Sequence, residues 1–177
     1  MSPVDHAWFR MDTAENLMVV NAIMWTDEPV DEAAVRSKIE SMVERFPKFR
    51  QHPVPALVPF GRANWRDDED FDLDRHLLVH HLEGGLDDYV SAQIPVALDP
   101  AHPMWQIHLI SGYGAGSALL FRMHHSIADG ITITRVLLSL TQSQQTAGFT
   151  PKRDFGLVNR LFAFGCGRVV TQGGSWP

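Results

Sequence analysis

The sequence predicts an α/β fold, two layers deep, built on a mixed sheet. Segments of strand length, rich in Val, Ile, Leu and Met, recur along the chain. Between them stand stretches in which apolar residues return every three or four positions, the helical period. Residues 105–110 and 117–124 are two strand-like segments joined by a turn containing Gly112, Gly114 and Gly116. They read as a hairpin, which excludes a purely parallel sheet. With 177 residues, 45% of them hydrophobic, the chain can build one domain with a real core but not two of full size.

The elements follow in order. Residues 17–26 (LMVVNAIMWT) have strand length and composition, and Asp27, Glu28 and Pro29 break them off. Asp31 reads as the N-cap of a helix in which Ala34, Val35, Ile39, Met42, Val43 and Phe46 recur at helical steps, and Pro47 ends it. Residues 49–60 carry Pro53, Pro55 and Pro59 and read as an extended edge segment or loop. Residues 65–74 are an acidic connector, most simply a solvated loop around Asp67, Asp68, Glu69 and Asp70. Residues 77–82 form a strand that Gly84 and Gly85 stop, 86–94 a short helix, and 97–103 a turn-rich loop around Pro100 and Pro103. After the hairpin a helix is expected from Asp129 to about Thr141, with Leu137, Leu138 and Leu140 on its buried side. The domain is placed at 1–145. The tail, 146–177, changes texture and offers only a helical stretch at 157–164.

Charge and composition exclude several function classes. Fifteen Lys and Arg against 21 Asp and Glu give a net charge of -6, which argues against nucleic acid as a partner. A single cysteine, Cys166, excludes an internal disulfide and a Cys-based zinc site and fits a reducing compartment. The first residues lack the basic and apolar regions of a signal peptide, and no stretch reaches the ~20 apolar residues of a membrane span. The expectation is a cytoplasmic protein, soluble or peripheral at membranes or lipid inclusions.

The chemistry concentrates in His124-His125-Ser126-Ile127-Ala128-Asp129-Gly130, where the last strand gives way to a loop. A chain of this composition matches two His, an Asp and a Gly at this spacing by accident roughly 0.002 times. On a regular strand Leu119, Phe121, Met123 and His125 share one face, and Ala118, Leu120, Arg122 and His124 the other. His125 would then continue a wholly apolar face, which makes it the better candidate for a base in a dry pocket. A neutral imidazole can take the proton of an alcohol as that alcohol attacks a carbonyl. Asp129 could orient an imidazole, cap the following helix or pair with a buried arginine. Adjacent strand histidines point apart and do not readily chelate one metal, and His76, His80, His81, His102 and His108 show no ligand spacing. Ser126 has no G-x-S-x-G elbow. The plain alternative is two satisfied core histidines and a capping Asp.

His124-His125-x-x-x-Asp129-Gly130 resembles the HHxxxDG motif of the CoA-dependent acyltransferase and condensation-domain superfamily. Three further segments resemble its bacterial wax ester synthase/acyl-CoA:diacylglycerol acyltransferase branch. Ser2-Pro3-Val4-Asp5-His6-Ala7-Trp8-Phe9 is similar to the opening S-x-x-D-x-x-F segment. Arg45-Phe46-Pro47-Lys48-Phe49-Arg50 is similar to R-x-P-x-[FL]-R. Pro103-Met104-Trp105 is similar to P-L-W, with Met for Leu. The likeness covers about residues 1–141.

The resemblance implies one half of a chloramphenicol-acetyltransferase-like fold, a two-layer sandwich with helices on one face of a mixed sheet. It implies an O-acyltransferase that carries an acyl group from acyl-CoA, as co-substrate, to diacylglycerol or a long-chain alcohol, with no metal or prosthetic group. His125 would be the general base, His124 a supporting residue, and Asp129 and Gly130 structural, with Arg50 or Arg45 as the arginine partner of Asp129. Pro103 and Trp105 become substrate-channel candidates, although core packing competes for Trp105, as it does for His6, Trp8 and Phe9. Family members are more than twice this length. The resemblance therefore also implies a truncated or partner-requiring form lacking a C-terminal half, or a lipid- or partner-binding half-domain without catalysis. A peptide-condensation domain fits the opening and P-M-W segments less well.

Overall fold

A computed structural model describes residues 1–58, 61–127 and Val136. The expected helix from Asp129 and everything expected of the tail lie outside the described residues. The chain opens with α1 (Pro3–Met11), to which the sequence reading assigned no element. Ser2 caps it by accepting the Asp5 N–H, and Pro3 takes the first turn, where its missing N–H costs nothing. β1 (Val19–Trp25) follows, and then α2 (Glu32–Arg45), whose N-cap Asp31 accepts the Ala34 N–H. Val35, Ile39, Met42 and Val43 are the buried stripe of α2, as the spacing predicts. The helix stops at Phe46, and Pro47 opens a single 3₁₀ turn, Pro47–Arg50.

The next stretch differs from expectation. β2 (Gln51–Val54) and β3 (Asn64–Asp67) pair antiparallel as a separate two-stranded ribbon. The acidic connector therefore begins with a strand. Pro53 pairs opposite Trp65, and a two-stranded ribbon leaves each strand one unpaired edge, where a residue without an N–H is tolerated.

The main sheet has the order β1-β6-β5-β4, with β4 (Leu77–His81), β5 (Trp105–Ser111) and β6 (Ala118–His124). β4 runs parallel to β5, whereas β5–β6 and β6–β1 are antiparallel, so the sheet is mixed. α3 (Leu86–Gln93) links β4 to the loop before β5. The β5–β6 hairpin turn needs two of its three glycines. Gly112 has φ 87, and a Cβ on Gly116 would run into the Thr26 carbonyl.

One sheet face, with Trp105, Ile107, Leu109, Phe121 and Met123, packs on the stripe of α2 and on Phe49 as the main core. This is the expected second layer. The opposite face carries Ile110, Ala118 and Leu120, and there Leu86, Tyr89 and Val90 of α3 add partial cover. A buried polar row continues that second face toward the motif through His108, Arg122 and His124. Arg122, 1% exposed, donates to Asn21 Oδ1, Gln106 Oε1 and the Val96 carbonyl.

Candidate functional site

The motif loop is pinned by backbone before any side chain acts. The His124 N–H donates to the Met104 carbonyl at 3.0 Å, and the His125 N–H to the Met18 carbonyl at 2.8 Å. The Ile127 N–H closes a turn onto the His124 carbonyl. Two chain segments, one entering β1 and one entering β5, thus hold the loop from both sides. Met104 is the middle residue of the P-M-W segment, so that segment meets the motif through its main chain. Pro103 and Trp105 are themselves buried. Trp105 donates its indole N–H to the Phe49 carbonyl and stacks on His76 at 4.4 Å, and both residues border a cleft of about 220 Å³.

His124, 1% exposed, is sealed into the structure. The Ser126 N–H points at its Nδ1 from 3.1 Å, and the Ser126 hydroxyl lies 2.8 Å from the same nitrogen. A backbone N–H can only donate, so Nδ1 is the unprotonated nitrogen and the ring proton sits on Nε2. Nε2 faces Asp12 Oδ1 at 3.7 Å, beyond hydrogen-bond reach. Burial pushes the His124 imidazole below its ordinary value, Asp12 offsets this in part, and neighbouring His125 adds to it. The ring is therefore neutral at pH 7. Asp12 also accepts the Met18 N–H at 2.6 Å, which ties the end of α1 to the segment that pins His125.

His125 is only half-buried. β6 ends at His124, so His125 lies in the turn and not on the strand. Its N–H nonetheless keeps the β1–β6 register, because Met18 stands opposite it as Val19 stands opposite His124. Its ring stacks on the indole of Trp8, with centroids 4.1 Å apart and planes 14° from parallel. Its Nδ1 is buried and takes no hydrogen bond among the described residues. Phe9, the next residue of α1, meets His124 edge-on at 6.3 Å.

Asp129 and Gly130 lie outside the described residues. The candidate arginine partners for Asp129 are described. Arg45 and Arg50 are exposed, over the rings of Phe46 and Phe71, because each follows the last buried turn of its element. The buried arginine among the described residues is Arg122, two positions before the motif.

The opening segment is what the sequence reading undervalued. Ser2 caps α1. Asp5 accepts from Lys48 Nζ at 2.7 Å and from the Trp65 indole at 3.4 Å, and its carboxyl is held low: burial opposes this, but Lys48, Ser2 and Trp65 outweigh it. Trp8 stands where the S-x-x-D-x-x-F pattern has its aromatic. The three fixed positions therefore start the helix, dock it and lay a ring on His125. Packing was the reading for Trp8, and packing it is, but against the motif.

The model of the wax ester synthase/diacylglycerol acyltransferase catalytic domain matches residues 1–155. A Mycobacterium tuberculosis protein carrying the name probable diacylglycerol O-acyltransferase is 27% identical over 139 residues, 75% of this chain and 30% of that protein. The solved wax ester synthase/diacylglycerol acyltransferase of Marinobacter aquaeolei superimposes with TM-score 0.61 at 25% identity, covering 76% of this chain and 36% of its own. An epimerization domain of tyrocidine synthetase B shares the fold, with TM-score 0.61 at 20% identity, over 86% of this chain and 36% of that one. The chain thus spans about a third of the length of these relatives. With the match running through the opening segment, the P-M-W segment and the paired histidines alike, the chain belongs to the wax ester synthase/diacylglycerol acyltransferase catalytic-domain family.

Proposed function

We propose that this chain supplies the motif-bearing part of an acyl-CoA-dependent O-acyltransferase, with diacylglycerol or a long-chain alcohol as acceptor and His125 as general base. The observation that carries the proposal is the division of labour between the two histidines. His124 is enclosed, with its tautomer set by Ser126, whereas His125 is half open at the end of the sheet. With Nδ1 enclosed, Nε2 is the nitrogen left to meet a substrate. The hydroxyl gives its proton to His125 as its oxygen attacks the thioester carbonyl. The C–S bond then breaks, the CoA thiolate takes the proton back from the imidazolium, and an ester and CoA leave. Such base assistance supplies roughly 10²–10⁴ in rate.

Because relatives are about three times longer, the proposal is for a part that works with the remainder of the family's fold, which closes the channel and excludes water. Lipid contact is assigned to the loop after β2. Leu57 and Val58 are exposed there beside Arg62 and Arg66, an apolar tip with a cationic rim suited to an anionic lipid surface.

The test is CoA release from acyl-CoA with diacylglycerol or a fatty alcohol, using the chain alone and the chain co-expressed with the portion of a relative that it does not span. His125-dependent release is expected in the combined sample and little from the chain alone. Equal release from a His125→Ala variant would overturn the assignment of the base.

A further inference from the structure

We propose that Trp8 is the positioning residue for the His125 imidazole, holding the plane of the ring by stacking where a hydrogen bond would ordinarily orient it. For catalysis this rests on the reading of His125 as the base. For ring geometry it stands alone.

A base of this kind is usually aligned by a hydrogen bond from its second nitrogen to a carboxylate or carbonyl. His125 has no such bond among the described residues, since its buried Nδ1 is unpaired. It also sits in a turn, where, among the described residues, its N–H is held by the Met18 carbonyl. What fixes the ring is the face of Trp8, nearly parallel at 4.1 Å. A stack constrains the plane but leaves the in-plane lone pair of Nε2 available. It covers one face of the imidazole and leaves the ring edge, where proton transfer occurs, unobstructed by the indole.

Stacking positions a ring only if the stacking partner is itself held, and α1 is anchored along its length. Asp5 is tied to Lys48 and to the Trp65 indole. The Ala63 N–H donates to His6 Nδ1 at 3.4 Å. Beyond the C-terminus of α1, Asp12 accepts the Met18 N–H, from the same residue whose carbonyl holds His125. The support of Trp8 and the support of His125 are therefore one continuous piece of backbone.

The test uses the 177-residue chain labelled for NMR, with His125 resonances assigned by the His125→Ala variant. In the parent the indole should shift the His125 ring protons upfield and give cross-relaxation to them. Trp8→Leu should move those protons downfield with the other histidines unmoved, and Trp8→Phe should restore most of the upfield shift. Unmoved His125 protons in Trp8→Leu overturn the proposal. If that variant does not fold, absence of Trp8–His125 cross-relaxation in the parent overturns it equally. In the CoA-release assay, Trp8→Leu should lower kcat roughly tenfold with KM little changed, and Trp8→Phe should recover it. Unchanged kcat alongside shifted ring protons overturns the positioning role. Intact stacking with no CoA release from any sample instead overturns the acyltransferase reading and leaves the ring geometry standing.

Discussion

Acid should unfold this protein through the polar row on the second sheet face, and His108 sets the scale. Burial pushes its imidazole from the ordinary 6.5 down to about 4, with Arg122 and His80 adding in the same direction. His108 Nδ1 lies 2.7 Å from the Tyr89 hydroxyl of α3, and its ring stacks on His80 at 5.5 Å. Above pH 6.5 the ring is neutral in both folded and unfolded chains, and the stability is complete. Below 6.5 the unfolded chain takes a proton that the folded chain refuses, so stability falls until the folded ring titrates near 4. The loss over that window is about 3 kcal/mol, a large share of the ~5–15 kcal/mol that holds a domain together. The assay is urea unfolding at a series of pH values from 8 to 4, for the parent and for His108→Leu. The variant should lose stability less steeply between 6.5 and 4, by about one proton's worth. An identical pH slope in both would refute the reasoning. There is a functional corollary. His108 pairs in register with Leu120 of β6, the strand that delivers the motif. Protonation of His108 therefore weakens the packing of the strand that carries the paired histidines.

Three further outcomes follow from the same geometry. Ile39→Ala, at the wholly buried centre of the α2 stripe, should cost about 2–5 kcal/mol, read from the urea midpoint. Asp12→Asn keeps an acceptor for the Met18 N–H but removes the charge facing His124, so the His124 titration, followed by NMR, should move further down. A double Leu57→Asp, Val58→Asp variant should sediment less with anionic lipid vesicles while its melting temperature holds, since both side chains are exposed. Equal sedimentation would remove the loop from lipid contact.

The parts of the fold that were legible in sequence are those with a local signal. The α2 helix announces itself by Asp31 and by apolar residues that return on one face. The β5–β6 hairpin does so by alternation on either side of a glycine turn. β3 gave no such signal. Asn64, Trp65, Arg66 and Asp67 contain one apolar residue, and they form a strand because β2 is there to pair with and because Trp65 reaches Asp5. α1 was missed for a different reason. Val4, Ala7, Trp8 and Met11 do return at helical steps, but the helix is nine residues long and none of its residues is fully buried, so the stripe is short and marks no core. Its start signal, Ser2 followed by Pro3 and by Asp5 three residues on, was present as well.

The site divides along the same line. The paired histidines could be found because their chemistry and spacing are local. Their supports could not, because Trp8, Phe9 and Asp12 come from the opposite end of the described chain and nothing local records that contact. The bonding to β1 runs one residue past the end of β6, since Met18, which accepts the His125 N–H, stands opposite it in the register that pairs Val19 with His124. What a sequence can offer at such distance is a short pattern whose fixed positions have no visible local purpose. In S-x-x-D-x-x-F the serine caps a helix and a carboxylate in the first turn suits its N-terminus, but these local roles leave open what meets the aspartate from outside the helix and what meets the aromatic, six residues after the serine. Both then point outward from the same helix, three residues apart and so on neighbouring positions of one face. A face that carries one acid and one aromatic, on a helix with no buried residues of its own, needs partners elsewhere. Lys48 meets the first and His125 the second. The opening segment is thus the part of the site that sequence could have pointed to, through the demand its spacing makes on the rest of the fold.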